Sequence, residues 1–359
     1  MNSRPRIAAL ATAAPEFKVT QKEAADYILE KFPDELGRKG RFMLKRVFGH
    51  PSIGSRHFAI SDPAAFFLEG PDARISRFTE KALELSCRAL REAMDRCGLA
   101  ANELKGLVLN TCTGYICPGL STYMIERLDL PRDIKAFDLV GAGCAGAIPN
   151  IGLAGMMVRE NPGGAVACVS VEICSATFEV GDSPGLIVSN ALFSDGAAAA
   201  ILWDRPDGLE AVSVSMRFAP EFREAIRYAH RGGRLENQLS MDLPEIIGGP
   251  VRASVLDALA LASLETKDVA HWAIHAGGEK IIDAIRDALG LPEEKTGPAR
   301  KVLKEHGNMS SPTVWFVLEE ILKGGLFAAG QYCAMVSFGA GLSAHCAIFS
   351  NRGGIFGAR

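Results

Sequence analysis

The stretch Asp138-Leu-Val-Gly-Ala-Gly-Cys-Ala-Gly146 links an apolar run, Ile134 to Val140, to a second apolar segment that reaches Arg159. It reads as strand, glycine-rich turn and helix, with Cys144 at the helix start. A passage of the same kind lies downstream: His306-Gly-Asn-Met-Ser-Ser311, followed by a helical pattern from Pro312 to Leu322. Other landmarks repeat at the same separation. Gly114 matches Gly278, Gly143 matches Gly307 and Ser170 matches Ser337, at offsets of 164, 164 and 167 residues. Ordered landmarks at a nearly constant offset point to a duplicated chain. The expected fold is α/β, built from two homologous halves, 1–205 and 206–359, joined at Asp204-Arg-Pro-Asp-Gly208.

The flanking elements fit that plan. Arg6 to Thr12 reads as a buried strand, and Thr20-Gln-Lys-Glu23 as a capping box before a helix through about Phe32. Leu83, Cys87, Leu90, Met94 and Cys97 recur at helical spacing in a helix from about Arg77, closed by Gly98. Strands are expected at Leu107–Asn110, Ala165–Val171 and Ala197–Trp203 in the first half. In the second they are expected at His271–His275, Tyr332–Ser337 and His345–Phe349, with helices at Val255–Leu264 and Ile281–Leu289.

Bulk properties exclude several classes. With 359 residues, 48% of them hydrophobic, the chain can bury a large core. A net charge of −3 carries no signature of nucleic-acid binding. No uncharged run is long enough to span a membrane, and Met1-Asn-Ser-Arg-Pro-Arg-Ile7 holds no apolar core of signal-peptide length. Nine cysteines, an odd number without a Cys-x-x-Cys pair, suit a reducing compartment, so a cytoplasmic location is expected. One local feature stands out: a basic cluster from Arg38-Lys39-Gly-Arg41 through Lys45-Arg46. It reads either as a solvated helix face or as a docking patch for a phosphorylated carrier such as coenzyme A.

Three polar residues sit where apolar stretches meet glycine-rich backbone: Cys144, His275 in Trp272-Ala-Ile-His-Ala-Gly-Gly278, and Asn308. A thiol at a helix N-terminus is biased toward thiolate by the macrodipole and unpaired N–H groups. Each residue taken singly also has a bland reading, as a buried thiol, a core histidine or a helix cap. In matched halves, however, Gly143-Cys144 and Gly307-Asn308 fall at equivalent helix starts and face each other across a pseudo-twofold axis. That pairing suits decarboxylation of a malonyl thioester. Imidazole and amide N–H groups can hold the enolate oxygen, and the carbanion attacks an acyl group carried on sulfur.

At these residues the sequence resembles the chalcone synthase-like, or type III, polyketide synthases. The matching pieces are Gly143-Cys-Ala-Gly146, Trp272 to Gly278, Glu305-His-Gly-Asn-Met-Ser-Ser311, Ser337-Phe-Gly-Ala-Gly-Leu342 and Ala191-Leu-Phe-Ser-Asp-Gly-Ala-Ala198. They follow the family's order and spacing over nearly the whole chain. The resemblance implies a thiolase-like five-layered αβαβα fold, a homodimer, and extension of an acyl-CoA starter by malonyl-CoA units. No carrier protein, metal or further cofactor is implied.

Position by position, it makes Cys144 the acylated nucleophile and His275 and Asn308 its partners in decarboxylation. It makes Phe193 a gatekeeper, Arg46 a contact for coenzyme A phosphate, and Ser310 a cavity-lining residue. Asn237 replaces a second gatekeeper phenylalanine. Cys112 and Cys117 replace a threonine and a methionine of the plant pattern, the second reaching across the dimer interface. These departures favour a microbial enzyme with an aliphatic or other acyl starter, making a pyrone, resorcinol or phloroglucinol.

Rival readings share the Cys, His and Asn. An initiating ketoacyl synthase would condense once and require a carrier protein. A papain-like cysteine hydrolase would need Cys-Gly-Ser-Cys-Trp around its nucleophile, which is absent. A non-catalytic acyl-CoA binder would leave the three residues idle. His271 and His275 share a strand face but lack a visible third metal ligand.

Overall fold

The computed structural model describes residues 4–325 and 327–353; Met1–Ser3, at the head of the segment read as lacking a signal peptide, lie outside them. The first half contributes strands β1 (Arg6–Ala13), β2 (Lys18–Thr20), β3 (Ser55–His57), β4 (Leu104–Asn110), β5 (Lys135–Leu139), β6 (Ala165–Ile173) and β7 (Asp195–Trp203). The second contributes β8 (Leu209–Phe218), β9 (Ile226–Arg231), β10 (Arg234–Leu239), β11 (Val269–Ile274), β12 (Tyr332–Gly339) and β13 (Ser343–Asn351).

Nine strands form one sheet in the order β11-β12-β13-β8-β1-β7-β6-β4-β5. Its two arms repeat one pattern. From β1 outward, β7 and β6 follow antiparallel and β4 then lies parallel to β6. From β8 outward, β13 and β12 follow antiparallel and β11 lies parallel to β12. The first arm adds one more parallel strand, β5. The arms join where β1 meets β8 at Arg6–Glu210 and Ile7–Leu209. The duplication read from glycine spacing is therefore also a repeat of strand order and direction.

Helices complete five layers. Pro71–Cys97 covers β1, β7 and β6 from outside, and Gly248–Leu261 covers β8, β13 and β12. Between the arms lie Ala147–Glu160 and Thr313–Lys323, each packed on strands of both halves. The second of these is buried on nearly every side, as a helix that is apolar all round must be. Its one buried carboxylate, Glu319, accepts from Thr12 Oγ1 at 2.6 Å, Arg96 at 2.9 Å and Lys323 at 3.0 Å. Thr12 and Arg96 belong to the first half, so this ion cluster bolts the halves together.

Several sequence boundaries move, among them the helix expected at Val255–Leu264, which spans Gly248–Leu261. The outer helix starts at Pro71 rather than near Arg77, with proline in its first turn and Gly98 closing it at φ +65°. Its first turns carry few apolar residues, so periodicity alone starts it late. Cys144 does not begin the helix: it lies in a 3₁₀ turn, Gly143–Ala145, and the helix begins at Ala147. The capping box at Thr20 and Glu23 forms as read.

Candidate active site

Side chains from both halves gather at the carboxyl ends of the parallel strands β4, β6, β11 and β12, the edge where α/β sheets place ligands. After β5 the chain enters the 3₁₀ turn that carries Cys144. That turn is pressed against the end of β12. A Cβ on Gly339 would lie 2.5 Å from the Ala145 nitrogen and 3.0 Å from that of Cys144, so only glycine fits. Cys144 is half-buried, and its Sγ accepts a hydrogen bond from Ser310 Oγ at 3.2 Å. Burial pushes its thiol up to about 12, with the Ser310 bond pulling the other way. Desolvation thus outweighs the thiolate bias expected from the helix end.

His275 follows β11, and its backbone N–H donates to Val336 of β12 at 2.8 Å. The side chain is fully buried, and neither ring nitrogen has a hydrogen-bond partner among the described residues. Burial lowers the imidazole to about 3, so it rests neutral. Its ring meets the edge of Phe338 at 5.0 Å. Phe338 precedes Gly339, so this short segment touches His275 on one side and the Cys144 turn on the other.

Asn308 comes, like His275, from the second half of the repeat. Its N–H donates to Leu192 at 2.8 Å, and its carbonyl accepts from Ser194 N–H at 2.9 Å, forming a bridge beside Phe193. Asn308 Oδ1 accepts from Ser310 N–H at 2.8 Å and Thr313 Oγ1 at 3.3 Å. With the oxygen so occupied, the amide NH₂ is the group left to meet a substrate. Ser310 holds a left-handed backbone, φ +58°, a conformation that costs a non-glycine residue about 1–2 kcal/mol. That backbone directs its hydroxyl to Cys144.

Glu172, which the sequence reading passed over, anchors the floor. It is fully buried and accepts from Cys112 N–H at 2.9 Å, Thr113 Oγ1 at 2.8 Å and Ser311 Oγ at 2.9 Å. Burial raises its carboxyl, and these donors oppose the rise. Cys112 Sγ lies 3.5 Å from Ser310 Oγ, so one serine hydroxyl touches both Cys112 and Cys144. A lone glutamate in the otherwise apolar run Val169-Ser-Val-Glu-Ile-Cys174 was the available signal, because a charge is not buried without a function or partners. Tyr228 was also missed. It stands opposite Asn237 in the β9–β10 ribbon, and burial, then Cys112 and Cys174, push its hydroxyl well up.

The remaining positions separate. Phe193 caps the helix Pro184–Leu192 and is half-buried beside Asn308. Asn237 is buried on β10 and accepts from Ser189 of that helix at 3.1 Å. Cys117 is exposed, on the loop that precedes the helix Leu120–Arg127. Arg46 is exposed in the last turn of the helix Arg38–Phe48, which packs on the helix Pro184–Leu192. His271 bonds Gln331 at 3.2 Å and packs on Phe327, and no metal-holding group of three such ligands occurs among the described residues. No helix among those residues is long and apolar enough to cross a membrane.

A duplicated sheet interleaved with helices in five layers is the thiolase-like fold. Comparison with known proteins narrows this class. Residues 13–219 match the profile described as FAE1/Type III polyketide synthase-like protein, and residues 210–351 match the chalcone and stilbene synthase C-terminal domain. The chain belongs to the type III polyketide synthase family and is an acyltransferase of the decarboxylating, condensing kind. It is 28% identical to a 3,5-dihydroxyphenylacetyl-CoA synthase of Streptomyces toyocaensis, over 96% of this chain and 90% of that one. It is 32% identical to an alpha-pyrone synthesis polyketide synthase-like protein of Mycobacterium tuberculosis, over 88% and 83%. The crystal structure of PKS-I from the brown alga Ectocarpus siliculosus superposes with a TM-score of 0.90 at 29% identity, covering 98% and 99% of the two chains.

Proposed function

We propose that Cys144 takes an acyl group from a coenzyme A thioester, and that an enolate made from malonyl-CoA beside His275 and Asn308 attacks it. Thiolate adds to the starter carbonyl, and coenzyme A leaves as its thiol with the proton taken from Cys144. Malonyl-CoA loses carbon dioxide, and the electron pair of the broken bond passes into the thioester enolate. That carbon attacks the acyl-Cys144 carbonyl, which expels Cys144 as thiolate, to be reprotonated from solvent or used for the next loading, and lengthens the chain on coenzyme A by two carbons. The observation that carries this reading is the 3.2 Å contact between Cys144 and Ser310, which joins the nucleophile of one half to the Asn308 loop of the other.

Electrostatics support the same roles. Burial favours the neutral forms of Cys144 and His275 alike. In the resting structure no hydrogen bond joins the two, and a thiolate formed on Cys144 during the reaction would be favoured by an imidazolium at His275. A neutral imidazole and an uncommitted amide NH₂ are donors that polarise an enolate oxygen without removing a substrate proton.

Arg38, Lys39, Lys45 and Arg46 ride an amphipathic helix whose first turn holds no acid, and no carboxylate pairs with them among the described residues. This surface suits the phosphates of coenzyme A, with Phe193 and Asn237 beside the passage inward and Ser310 and Cys112 on its floor. No carrier protein, metal or further cofactor takes part.

Cys112 and Asn237 are small or polar where plant members carry threonine and phenylalanine, which favours an aliphatic or other acyl starter and a pyrone, resorcinol or phloroglucinol product. The test is mass spectrometry of products from malonyl-CoA with a panel of acyl-CoAs. Multiply extended, cyclised products from an alkyl starter are expected; a preference for coumaroyl-CoA would count against the starter assignment, and a single condensation requiring a carrier protein against the reaction itself.

The working unit is a cytoplasmic homodimer, and the halves join within 204–208. β5 is a sheet edge with no strand on its outer side among the described residues, and it exposes Phe137; Val140 lies just beyond it, with Tyr115 and Cys117 on the adjacent loop. An unpaired strand edge beside exposed apolar side chains invites pairing, and a second copy would bring Cys117 toward the partner's site. Light scattering should give twice the monomer mass, and Phe137→Asp should halve it. A monomeric parent protein would remove the dimer and the role of Cys117.

A further inference from the structure

Arg56 is the most deeply buried cation in the described structure, only 1% exposed, and none of its direct partners is an acid. Its guanidinium lies over the rings of Phe48 and Phe58, at 5.3 and 5.0 Å from their centroids. Nε donates to Gln21 Oε1 at 2.8 Å, and Nη1 donates to the carbonyls of Asn190 and, at 3.1 Å, Phe193. Burial brings its ionisation down to about 9, the field of Asp195 working against that fall.

An α-helix ends with carbonyls that lack partners within the helix. The helix Pro184–Leu192 ends beside the proposed reaction centre, and four successive carbonyls there are all occupied from outside. Asn190 and Phe193 receive Arg56, Ala191 receives Gln21 Nε2 at 2.8 Å, and Leu192 receives the N–H of Asn308 at 2.8 Å. Gln21 and Arg56 bond each other, so one buried pair closes three of the four positions and leaves the fourth for Asn308. The next residue of β3 continues the clamp. His57 N–H donates to Ser194 Oγ at 2.9 Å, and Ser194 Oγ donates back to the His57 carbonyl at 2.8 Å. Gly307, at φ +72°, lies on the Arg56 stem, where a Cβ would come within 2.8 Å of its Cγ.

We infer that Arg56, locked by Gln21, is a positioning residue: it caps the helix that ends at Phe193 and thereby sets the Phe193–Asn308 bridge on which decarboxylation depends. The inference rests on the role proposed above for Asn308. A cation at a helix C-terminus is favoured by the macrodipole, and the planar fork reaches two carbonyls and the glutamine at once, which an ammonium cannot do with the same geometry. A displacement near 1 Å at a reacting group can cost about a hundredfold in rate. The effect should therefore fall on the step that uses Asn308 and spare the step that uses Cys144.

Two variants of the full-length protein test this, Arg56→Lys, which keeps the charge, and Gln21→Leu, which keeps Arg56. Two rates are read: carbon dioxide release from malonyl-CoA, and loading of Cys144 by hexanoyl-CoA, followed as intact mass. Arg56→Lys should lose at least about tenfold in kcat for decarboxylation, with KM and the loading rate within about threefold of the parent protein. Hydrogen exchange at the Asn308 and Ser194 amides should quicken by about tenfold while the amides of β6 stay protected. Gln21→Leu should move both readouts in the same direction by less, and it decides the matter if Arg56→Lys does not fold. Equal losses in loading and decarboxylation would reduce Arg56 to general stability, and unchanged exchange at Asn308 would overturn the inference. Asn308→Ala run in parallel keeps the two questions apart: normal decarboxylation there would refute the Asn308 assignment, whereas the exchange measurement would still judge the Arg56 cap.

Discussion

Cys144→Ala should abolish product formation with every starter, leaving turnover at least about a thousandfold below the parent protein. The acyl chain needs a covalent resting place while the second substrate decarboxylates, and an alanine methyl offers none. The variant should fold. Cys144 is half-buried in a 3₁₀ turn, its sulfur makes one hydrogen bond, and the turn is held by backbone contacts to Gly339. Removing one sulfur there should cost on the order of 1 kcal/mol. Intact mass after exposure to an acyl-CoA should show an adduct on the parent protein and none on the variant. Persistent acylation would move the nucleophile elsewhere, and Cys112, which shares the Ser310 hydroxyl, would be the first place to look.

Asn308→Asp should lower malonyl-CoA decarboxylation by about a hundredfold to a thousandfold, the range found when one donor to a developing oxyanion is removed. Aspartate makes a sharper test than alanine. Asn308 Oδ1 braces Ser310 N–H and Thr313 Oγ1, and a carboxylate oxygen can keep both bonds. Only the NH₂ is lost, and a negative charge stands in its place to repel an enolate. The fold, the Ser310 conformation and Cys144 loading should survive, while carbon dioxide release falls. If Asn308→Asp decarboxylates as well as the parent protein, the amide is not a donor in this reaction.

Much of this architecture was legible in the amino-acid order because it lies in strong local signals. The glycine-bounded turns at Gly143 and Gly307 and the apolar runs of β6, β7, β12 and β13 correspond to structure with shifts of a few residues. The duplication could be read because glycines required by close packing keep their spacing after most side chains have diverged. Other elements gave no comparable signal. β8 mixes serine with valine and is half-covered along its length, and the β9–β10 ribbon is largely polar, so neither presents a continuous buried run. The helices Pro184–Leu192 and Gly297–His306 are short, and their lengths are fixed by what docks at their ends.

The site was legible in its reactive groups but not in its supports. Cys144, Asn308 and Ser310 stand in recognisable sequence surroundings, whereas Glu172, Tyr228 and Arg56 acquire meaning only from neighbours far away along the chain. The state of Cys144 was also beyond local reading. A helix-end argument favours thiolate, yet burial governs the outcome, and burial is a property of the assembled layers.

The matched positions of Cys144 and Asn308 carry a last consequence. Had two identical half-chains paired about a true twofold, the same residue would stand on both sides of the axis. Such a centre would hold two thiols or two carboxamides, a nucleophile without a stabiliser or the reverse. Joining the two sides in one chain, whose β1 and β8 pair at Ile7 and Leu209, releases them from that identity. A single reaction centre can then be assembled from unlike partners, at the cost of the second centre that symmetry would have supplied.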